Sequence, residues 1–334
     1  MKNLIFKIIG FGILIGSLLV GWGWKQMNII MSAKPELPEE GLVVEISKGD
    51  NFYQVADNLS QLSIGPTRVW HRFIAWRYPE LTAVKTAEYL LEPGLSYQDI
   101  LQRFTTGKGM QYSIQFLEGW RFKEALAEIS RHPRLTQDIE LDVSTVRELL
   151  AIDQVNPEGW LFPDTYQFPR ATNASQLLKL MHQRMQDTLT QAWDSRSLDN
   201  ELGSPFELLI MASLIEKEAA IAAERPIISG VFHRRLALNM RLQTDPTVIY
   251  AMGDEYDGDI RRRDLMRQSP YNTYRVFGLP PTPIALPSRA SLMAAAQPAS
   301  GTELYFVARG DGSHVFSDTL EEHNKAVRKY QLGK

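Results

Sequence analysis

The segment SPFELLIMASLIEKEAA, Ser204 to Ala220, is mostly apolar but has two closely spaced glutamates near its end, Glu216 and Glu218. A serine followed by a proline is a favourable N-cap and first helical turn, and the apolar run predicts a helix from Phe206 to Ala223. Ionised carboxylates are rarely buried without a partner or a function. The segment therefore predicts a largely buried helix that carries a candidate site.

Helical geometry separates the two glutamates. Each helical residue advances by about 100°, so Glu216 and Glu218 point in nearly opposite directions and cannot act as a pair. Glu218 shares a stripe with the larger side chains of Met211, Leu214 and Ile221. Contact with apolar surface raises the pKa of a carboxyl and gives an acid that can donate a proton near neutral pH. This projection favours Glu218 as the catalytic residue, although only modestly, because the helix is apolar on most sides.

Glu216 lies on the opposite stripe, which consists mainly of small residues. A carboxylate there is expected to be structural and to pair with Lys217, Arg225 or a cation from a loop.

Composition limits the class of protein. The chain has 334 residues, 44% of them hydrophobic and 22% charged, which suits about two folded domains. Its net charge of -3 gives no global attraction to nucleic acid, and the run Arg261 to Arg263 is expected to be a solvated loop. The absence of cysteine excludes disulfides, a thiol nucleophile and a cysteine-based metal site.

The amino terminus predicts a membrane anchor. Residues 8–24 carry no charge, and residues 4–6 extend the apolar segment to about the 20 residues that span a bilayer. Lys2 and Lys7 precede it and Trp22 and Trp24 follow, which predicts a cytoplasmic amino terminus and an interfacial aromatic belt. The alternative is a cleaved signal peptide, but the segment is long and no clear cleavage site follows it.

We predict an α+β protein with four parts. Residues 1–30 are the cytoplasmic tip and transmembrane anchor, 31–40 a linker, 41–110 a small α+β subdomain and 111–334 a larger α+β domain. In the small subdomain, KGDNFYQVADNL follows a short strand and resembles a LysM-type carbohydrate-binding module. The alternative is an ordinary small α+β domain with a Gly-Asp turn before a helix.

Other chemistries find little support. The sequence has no HExxH pair, no GxSxG elbow, no phosphate-binding loop and no dinucleotide fingerprint, so no metal or organic cofactor is expected. His314 and His323 are expected to be hydrogen-bonded structural residues. The tripeptide Arg309-Gly310-Asp311 is interpreted as a hairpin turn.

Five motifs together resemble the YceG-like endolytic murein transglycosylases. They are EGWLFPDTY (158–166), ASLIEKEAA (212–220), MRLQTDPTVIYAMG (240–253), SPYNTYRVFGLPPTPI (269–284) and LYFVARGDGSHVFSDTLEEHN (304–324). The resemblance implies cleavage of the β-1,4 bond between N-acetylmuramic acid and N-acetylglucosamine in nascent peptidoglycan strands. It also implies that the muramyl 6-hydroxyl replaces water and leaves a 1,6-anhydro end, without a cofactor.

The resemblance also implies site residues. The family's catalytic residue is the second glutamate of the E-K-E motif, which is Glu218. Groups that could hold the sugar or orient Glu218 lie on loop-like motifs, and each could instead be a residue that fixes its own loop. These substrate-binding candidates are Gln243, Thr244, Asp245, Tyr271, Asn272, Asp164, Tyr166 and Trp160.

Three positions depart from the family pattern. Arg234 stands where asparagine is common, Thr282 where glycine is common, and Leu286-Pro287-Ser288 replaces a turn of the Asn-Pro-Gly type. These differences affect the expected loop geometry rather than the reaction.

The sequence thus predicts a single-pass inner-membrane lytic transglycosylase, a carbon-oxygen lyase whose catalytic domain faces the periplasm. Its expected partners are glycan strands, the membrane and a cell-wall synthesis complex, and not nucleic acid. One alternative is a non-catalytic peptidoglycan-binding or division scaffold. Another is a hydrolytic muramidase, which would need a second carboxylate, for which Asp245 is the candidate.

Overall fold

The computed structural model describes residues 2–107 and 109–332, and for residues 2–4 the backbone only. The side chain of Lys2, one of the two charges predicted to precede the span, therefore lies outside the described part. The chain divides into two compact units, Met1–Tyr112 with Gln167–Arg170, and Ser113–Tyr166 with Ala171–Lys334. Helices and strands occur in both units, which gives the mixed α+β class that the sequence predicts.

The first unit has a long amino-terminal helix followed by a two-stranded sheet and three shorter helices. Its elements are α1 (Lys2–Ser32), β1 (Leu42–Ile46), α2 (Phe52–Gln61), α3 (Arg68–Arg77), β2 (Ala87–Leu91) and α4 (Tyr97–Thr106). Strands β1 and β2 are antiparallel, with Leu42 opposite Leu91 and Ile46 opposite Ala87.

Helix α1 enters the core of the first unit. It is apolar enough to cross a membrane over Ile5–Ser32, yet Met27 and Met31 in its last turns are buried among the side chains of the unit. The backbone NH of Tyr97 donates to the carbonyl of Ala33 at 2.9 Å, and Leu37 packs on the same core. The helix thus continues past residue 30, and the segment 31–40 that the sequence predicts as a linker contributes core contacts.

The second unit is built from several short strands and nine helices in its described part. Its elements are β3 (Tyr112–Gln115), α5 (Phe122–Arg131), β4 (Leu135–Thr136), α6 (Val143–Leu149), β5 (Thr165–Phe168), β6 (Thr172–Asn173), α7 (Ala174–Asp194), α8 (Pro205–Glu218), α9 (Arg225–Ala237), α10 (Asp245–Met252), α11 (Arg262–Leu265), α12 (Arg289–Ala296), β7 (Tyr305–Ala308), β8 (His314–Ser317) and α13 (Leu320–Tyr330). The first residue of β3 and the last two residues of β5 belong to the first unit. Strands β4 and β6 are parallel and β7 and β8 antiparallel.

Helix α8 forms the centre of the second unit. Every residue from Leu208 to Ile215 is buried, and α7, α9, α10 and α12 pack around it. A helix that is apolar on all sides must be enclosed, so its sequence dictates this position. The Oγ of Ser204 accepts from the NH of Glu207 at 3.2 Å and caps the start of the helix, as the serine-proline pair predicts.

Helix α8 ends at Glu218, five residues before the predicted end at Ala223. Ala219 has an extended backbone (φ -86°, ψ 101°) and its side chain is buried in the core. Alanine favours helix, so local propensity would continue α8 through this alanine-rich segment. Packing of Ala219 and the contacts of Glu218 override that preference.

Strands β7 and β8 form a hairpin, as predicted for the segment around Arg309-Gly310-Asp311. Tyr305 lies opposite Ser317 and Ala308 opposite His314. Gly310 has a φ of 91°, a left-handed conformation that glycine adopts without steric cost. The tripeptide is therefore a structural turn.

Three of the residues that depart from the family pattern make side-chain hydrogen bonds. Arg234 donates to the carbonyl and carboxylate of Glu303 at 2.8 and 2.9 Å. The hydroxyl of Thr282 lies 2.9 Å from the Tyr271 hydroxyl. Ser288 caps α12 by accepting from the NH of Ser291 at 3.1 Å.

Glu216 joins three helices. Its side chain is 5% exposed, and it accepts from the backbone NH of Ser288 at 2.8 Å and from the Ser288 hydroxyl. Arg225, the first residue of α9, lies 3.3 Å from its other oxygen, which confirms one of the predicted ion-pair partners. The carboxylate therefore links the end of α8 to the starts of α9 and α12.

Replacement of Glu216 by alanine should destabilise the protein by about 3 kcal/mol, because it leaves a partly buried guanidinium and a buried NH without their acceptor. Ser288→Ala removes one donor to Glu216 and the N-cap of α12, and it should cost about 1 to 2 kcal/mol. Urea unfolding of the full chain in detergent, monitored by tryptophan fluorescence, measures both. The control is Glu321→Ala on exposed α13, and a loss for Glu216→Ala no larger than this control would contradict the structural role.

Candidate active site

A cavity of about 420 Å³ lies beside the end of α8 in the second unit. Its walls come from α8, α9, the loop before α10, the β7–β8 hairpin and α13. The volume is within the range of small-molecule sites in proteins. Its polar side chains are Glu218, Arg235, Gln243, Asp245, Tyr274, Tyr305, His314, His323 and Gln331.

Glu218 is the last residue of α8 and is half-buried at this cavity. The hydroxyl of Thr244 donates to its Oε1. Burial raises the pKa of Glu218 to about 6, and the nearby negative charge of Asp245 acts in the same direction. The Thr244 hydrogen bond and the charges of His314 and Arg235 oppose that shift. The carboxyl can therefore be protonated or ionised near neutral pH.

The segment before α10 places consecutive residues at the site. Gln243 and Asp245 line the cavity, and the intervening Thr244 contacts Glu218. Gln243 adopts a φ of 51°, which is uncommon for a residue other than glycine. Its NH donates to the carbonyl of Thr273 at 3.2 Å, and the NH of Thr244 donates to the Thr273 hydroxyl at 3.0 Å. Thr273 thus holds the strained conformation.

Asp245 is fixed by a tyrosine. The hydroxyl of Tyr274 donates to Asp245 Oδ1 at 2.6 Å, and burial raises the pKa of Tyr274 well above its usual range. The phenol therefore stays protonated and acts as a donor. Asp245 also begins α10, where a carboxylate interacts favourably with the helix dipole.

Arg235 brings a buried positive charge to the cavity. It is 7% exposed and donates to the carbonyls of Leu304 and Leu242 at 2.6 and 2.7 Å. These acceptors are neutral, and none of the ion pairs among the described residues includes Arg235. Its charge therefore acts on Glu218 over a longer distance and favours the ionised carboxylate.

The two histidines at the cavity, His314 and His323, differ in their hydrogen bonds. The NH and Nδ1 of His314 lie 3.0 and 2.7 Å from the two carboxylate oxygens of Glu224, so the prediction of a hydrogen-bonded histidine is confirmed there. His323 stacks on Tyr305 with ring centroids 5.3 Å apart, and its Nδ1 finds no hydrogen-bond partner in the part of the chain that the structure describes.

Tyr271 and Asn272, also proposed from sequence, do not line this cavity. Asn272 is fully buried, and its side-chain amide donates to the carbonyls of Leu265 and Arg267 at 3.1 and 2.8 Å. Its Oδ1 accepts from the NH of Tyr274 at 3.0 Å. Asn272 therefore fixes the loop that presents Tyr274, which is the loop-fixing alternative stated from sequence.

Trp160, Asp164 and Tyr166 also lie outside the lining of the cavity. Trp160 stacks on Phe206 with centroids 6.1 Å apart, and Asp164 pairs with Arg184 at 2.6 Å. The Tyr166 hydroxyl donates to the carbonyl of residue 162 at 2.8 Å. Trp160 and Asp164 thus connect their loop to α8 and α7, and Tyr166 makes a hydrogen bond within its own segment.

Sequence reasoning did not identify Arg235, Tyr274 or Tyr305 as cavity residues. Tyr274 lies within the motif SPYNTYRV, and Arg235 is the second of two adjacent arginines in the segment that forms α9. A buried Glu158 was also missed as an ionisable group: it accepts from the NH of Phe122 at 2.6 Å, and burial raises its pKa to about 7.

Comparison with known proteins agrees with the motif resemblance. The chain is 36% identical over 273 residues to an endolytic murein transglycosylase of Bacillus subtilis, covering 76% of this chain and 75% of the relative. A protein of the same name from Streptococcus pneumoniae is 26% identical over 330 residues, which cover 86% of this chain but 58% of that relative. The chain thus spans less than two thirds of the streptococcal protein.

A solved structure has the same fold. The crystal structure of a YceG-like protein from Listeria monocytogenes matches with a TM-score of 0.54 and 30% identity, covering 86% of this chain and 100% of that one. The sequence profile of the YceG-like family matches residues 44–329. From its motifs, its fold and this match over most of its length, the chain belongs to the YceG-like family.

Proposed function

We propose that this protein is an endolytic peptidoglycan lytic transglycosylase that cleaves the β-1,4 bond between N-acetylmuramic acid and N-acetylglucosamine. The observation that carries the proposal is the position of Glu218. Its carboxyl is half-buried at the cavity, and burial raises the pKa of this carboxyl to about 6. The names of the curated relatives support the same reaction class. By this reading the enzyme ends the elongation of glycan strands.

In the first step Glu218 acts as a general acid. Its proton passes to the glycosidic oxygen, the bond from that oxygen to the anomeric carbon breaks, and the N-acetylglucosamine hydroxyl leaves. The muramyl ring becomes electron-poor at its anomeric carbon. The substrate's own N-acetyl oxygen stabilises this centre in the proposed scheme, so a second carboxylate is not required.

In the second step the same carboxylate acts as a base. It takes the proton of the muramyl 6-hydroxyl while that oxygen bonds to the anomeric carbon, which produces a 1,6-anhydro ring and regenerates the acid. No water is consumed. Between the two steps Glu218 is ionised, and the buried charge of Arg235 and the hydroxyl of Thr244 stabilise that state.

The other cavity residues are proposed to bind sugar. Gln243 offers both donors and an acceptor for an N-acetyl group, and Tyr305 contributes aromatic surface to the same cavity. Tyr271, Asn272, Trp160, Asp164 and Tyr166 act at most through the loops that they hold.

The position of Asp245 is the observation that favours a hydrolytic muramidase. It lines the same cavity and could activate a water molecule. Its hydrogen bond from Tyr274 fixes the position of the carboxylate, which either mechanism could use.

The membrane arrangement is part of the proposal. The apolar segment of α1 spans the inner membrane once, with the amino terminus in the cytoplasm and the catalytic unit in the periplasm, close to the cell-wall synthesis complex. In the first unit, β1 and β2 pair across two intervening helices, an arrangement that supports a LysM-like, glycan-binding role.

Glu218→Gln should lower cleavage of purified glycan strands by about 100- to 10,000-fold, because the amide can neither donate nor accept the transferred proton. Mass spectrometry of the products of the unchanged enzyme should show 1,6-anhydro ends. Reducing ends instead would support the hydrolytic alternative, and an absence of cleavage by the unchanged enzyme would support the scaffold.

Unfolding measurements provide the control for this variant. Glu218 has a folded-state pKa above that of a free glutamate, so its ionisation costs stability as pH rises from about 4.5 to about 6. Glu218→Gln removes that cost. At pH 8 the variant should therefore be at least as stable as the parent, and a marked loss of stability would mean that its inactivity reflects unfolding.

The pH dependence should follow the environment of Glu218. Because the acid form is required first, kcat/KM should fall about tenfold per pH unit above about 6. Asp245→Asn removes a negative charge near Glu218, which lowers the pKa of Glu218, so the fall in kcat/KM should begin at lower pH. Thr244→Val removes a hydrogen bond to the carboxylate and should move it to higher pH, whereas Thr244→Ser should not.

Product analysis of the Asp245→Asn variant separates the two mechanisms. A shifted profile with unchanged 1,6-anhydro ends indicates an electrostatic role. Loss of activity to the level of Glu218→Gln indicates that Asp245 takes part in the chemistry, as a muramidase requires.

A further inference from the structure

Helix α3 of the first unit carries an apolar stripe on its outer side. His71 and Ile74 are buried in the core, whereas Val69, Phe73 and Trp76 are 64%, 51% and 79% exposed. These three residues fall within about 60° on a helical projection. A surface helix normally turns such a stripe inward, so this outward stripe requires an apolar environment of its own.

The stripe is continuous with the end of the apolar helix α1. Together they line a groove of about 680 Å³, to which α1 contributes Trp22 and Trp24 and α3 contributes Val69, Phe73 and Trp76. The ring of Trp22 lies 6.3 Å from that of Trp70 on α3. The groove is therefore bounded by the candidate membrane span itself.

The length of α1 determines where this groove lies relative to the membrane. The apolar segment begins at Ile5, and Met27 is already buried in the folded unit, so the hydrocarbon-spanning part must end between them. The residues from Ile5 to Trp24 span about 30 Å as a helix, which is the thickness of the bilayer core. Trp22 and Trp24 thus lie at the interface, and their contacts place α3 at the same depth.

The charges of α3 suit a phospholipid surface. The helix contains Arg68, Arg72 and Arg77 and no acidic residue. Arg77 lies over the ring of Trp24, with its guanidinium carbon 5.3 Å from the centroid. Asp57, 3.6 Å from Arg68, is the one carboxylate paired with this helix among the described residues. Arginines beside an exposed aromatic stripe are typical of helices that lie in the membrane interface.

We propose that α3 lies in the headgroup region of the bilayer leaflet at the end of the α1 span, with lipid acyl chains filling the groove between α1 and α3. This inference rests on the proposed role of α1 as a membrane span. It gives the first unit two contacts with the membrane, one that crosses it and one that lies on it.

Fluorescent labelling of the full chain tests this seating, because the sequence has no cysteine and a single introduced cysteine is labelled without background. An environment-sensitive dye is attached to the cysteine of the Phe73→Cys variant, and the labelled protein is placed in vesicles of zwitterionic and anionic phospholipid. Leu62→Cys is the matched control, since Leu62 is equally exposed (52%) in the same unit but does not line the groove. Leu14→Cys reports on the span.

Nitroxide lipids labelled near the headgroup should quench the Phe73 dye several-fold more than the Leu62 dye, and lipids labelled deep in the chain should quench the Leu14 dye most. Equal quenching at positions 73 and 62 would overturn the seating of α3. Blue-shifted emission at position 73 without quenching would also overturn it, because a protein such as a second copy would then cover the stripe.

The Leu14 dye tests the membrane span independently of the seating of α3. Quenching at Leu14 but not at Phe73 leaves the membrane span intact and refutes only the seating of α3. A lack of quenching at Leu14 refutes the span, and the seating with it. Glycan cleavage is not part of the readout, so failure of the proposed reaction does not change the result.

Discussion

The second unit depends on the burial of α8. Eight consecutive residues of this helix, Leu208 to Ile215, have no exposed face, so the surrounding helices must enclose it completely. At about 25 cal/mol per Å² of apolar surface, such a helix is a major source of the stability of the unit. The enclosure also means that polar groups near the end of α8 leave water and must find partners there.

The two glutamates at that end meet the constraint in different ways. Glu216 is nearly fully buried and is matched by an arginine, a backbone NH and a hydroxyl, so its charge is accommodated. Glu218 has one described hydrogen-bond donor, Thr244, and a negative neighbour in Asp245, so its charge is poorly accommodated. The same core therefore creates one structural carboxylate and, two residues away, the carboxyl that we propose to be catalytic. Sites that oppose the charge of a side chain in this way are common in catalysis.

Much of this arrangement follows from local sequence. The period of the apolar residues predicts α8, and its phase separates Glu216 from Glu218, because both depend only on helical geometry. The end of α8 at Glu218 could not be predicted, since the alanines that follow favour helix and only tertiary contacts stop it. Arg235 and Tyr274 reach the cavity through the fold, from α9 and from a loop held by Asn272. Likewise, the sugar-site candidates Trp160 and Tyr166 are chemically suitable, but Trp160 stacks on Phe206 of α8 and Tyr166 donates to a carbonyl of its own segment, contacts that depend on the fold.

The continuity of α1 with the core of the first unit limits how that unit would move if α1 spans the membrane as proposed. Met27 and Met31 belong to the same helix as the candidate membrane span, so the described residues form no flexible tether between the span and the unit. The unit would then not sweep through a volume as a domain on a long linker does. It would stay in a thin layer above the bilayer and move by lateral diffusion of the whole protein. Its encounters with a partner would depend on the surface density of both.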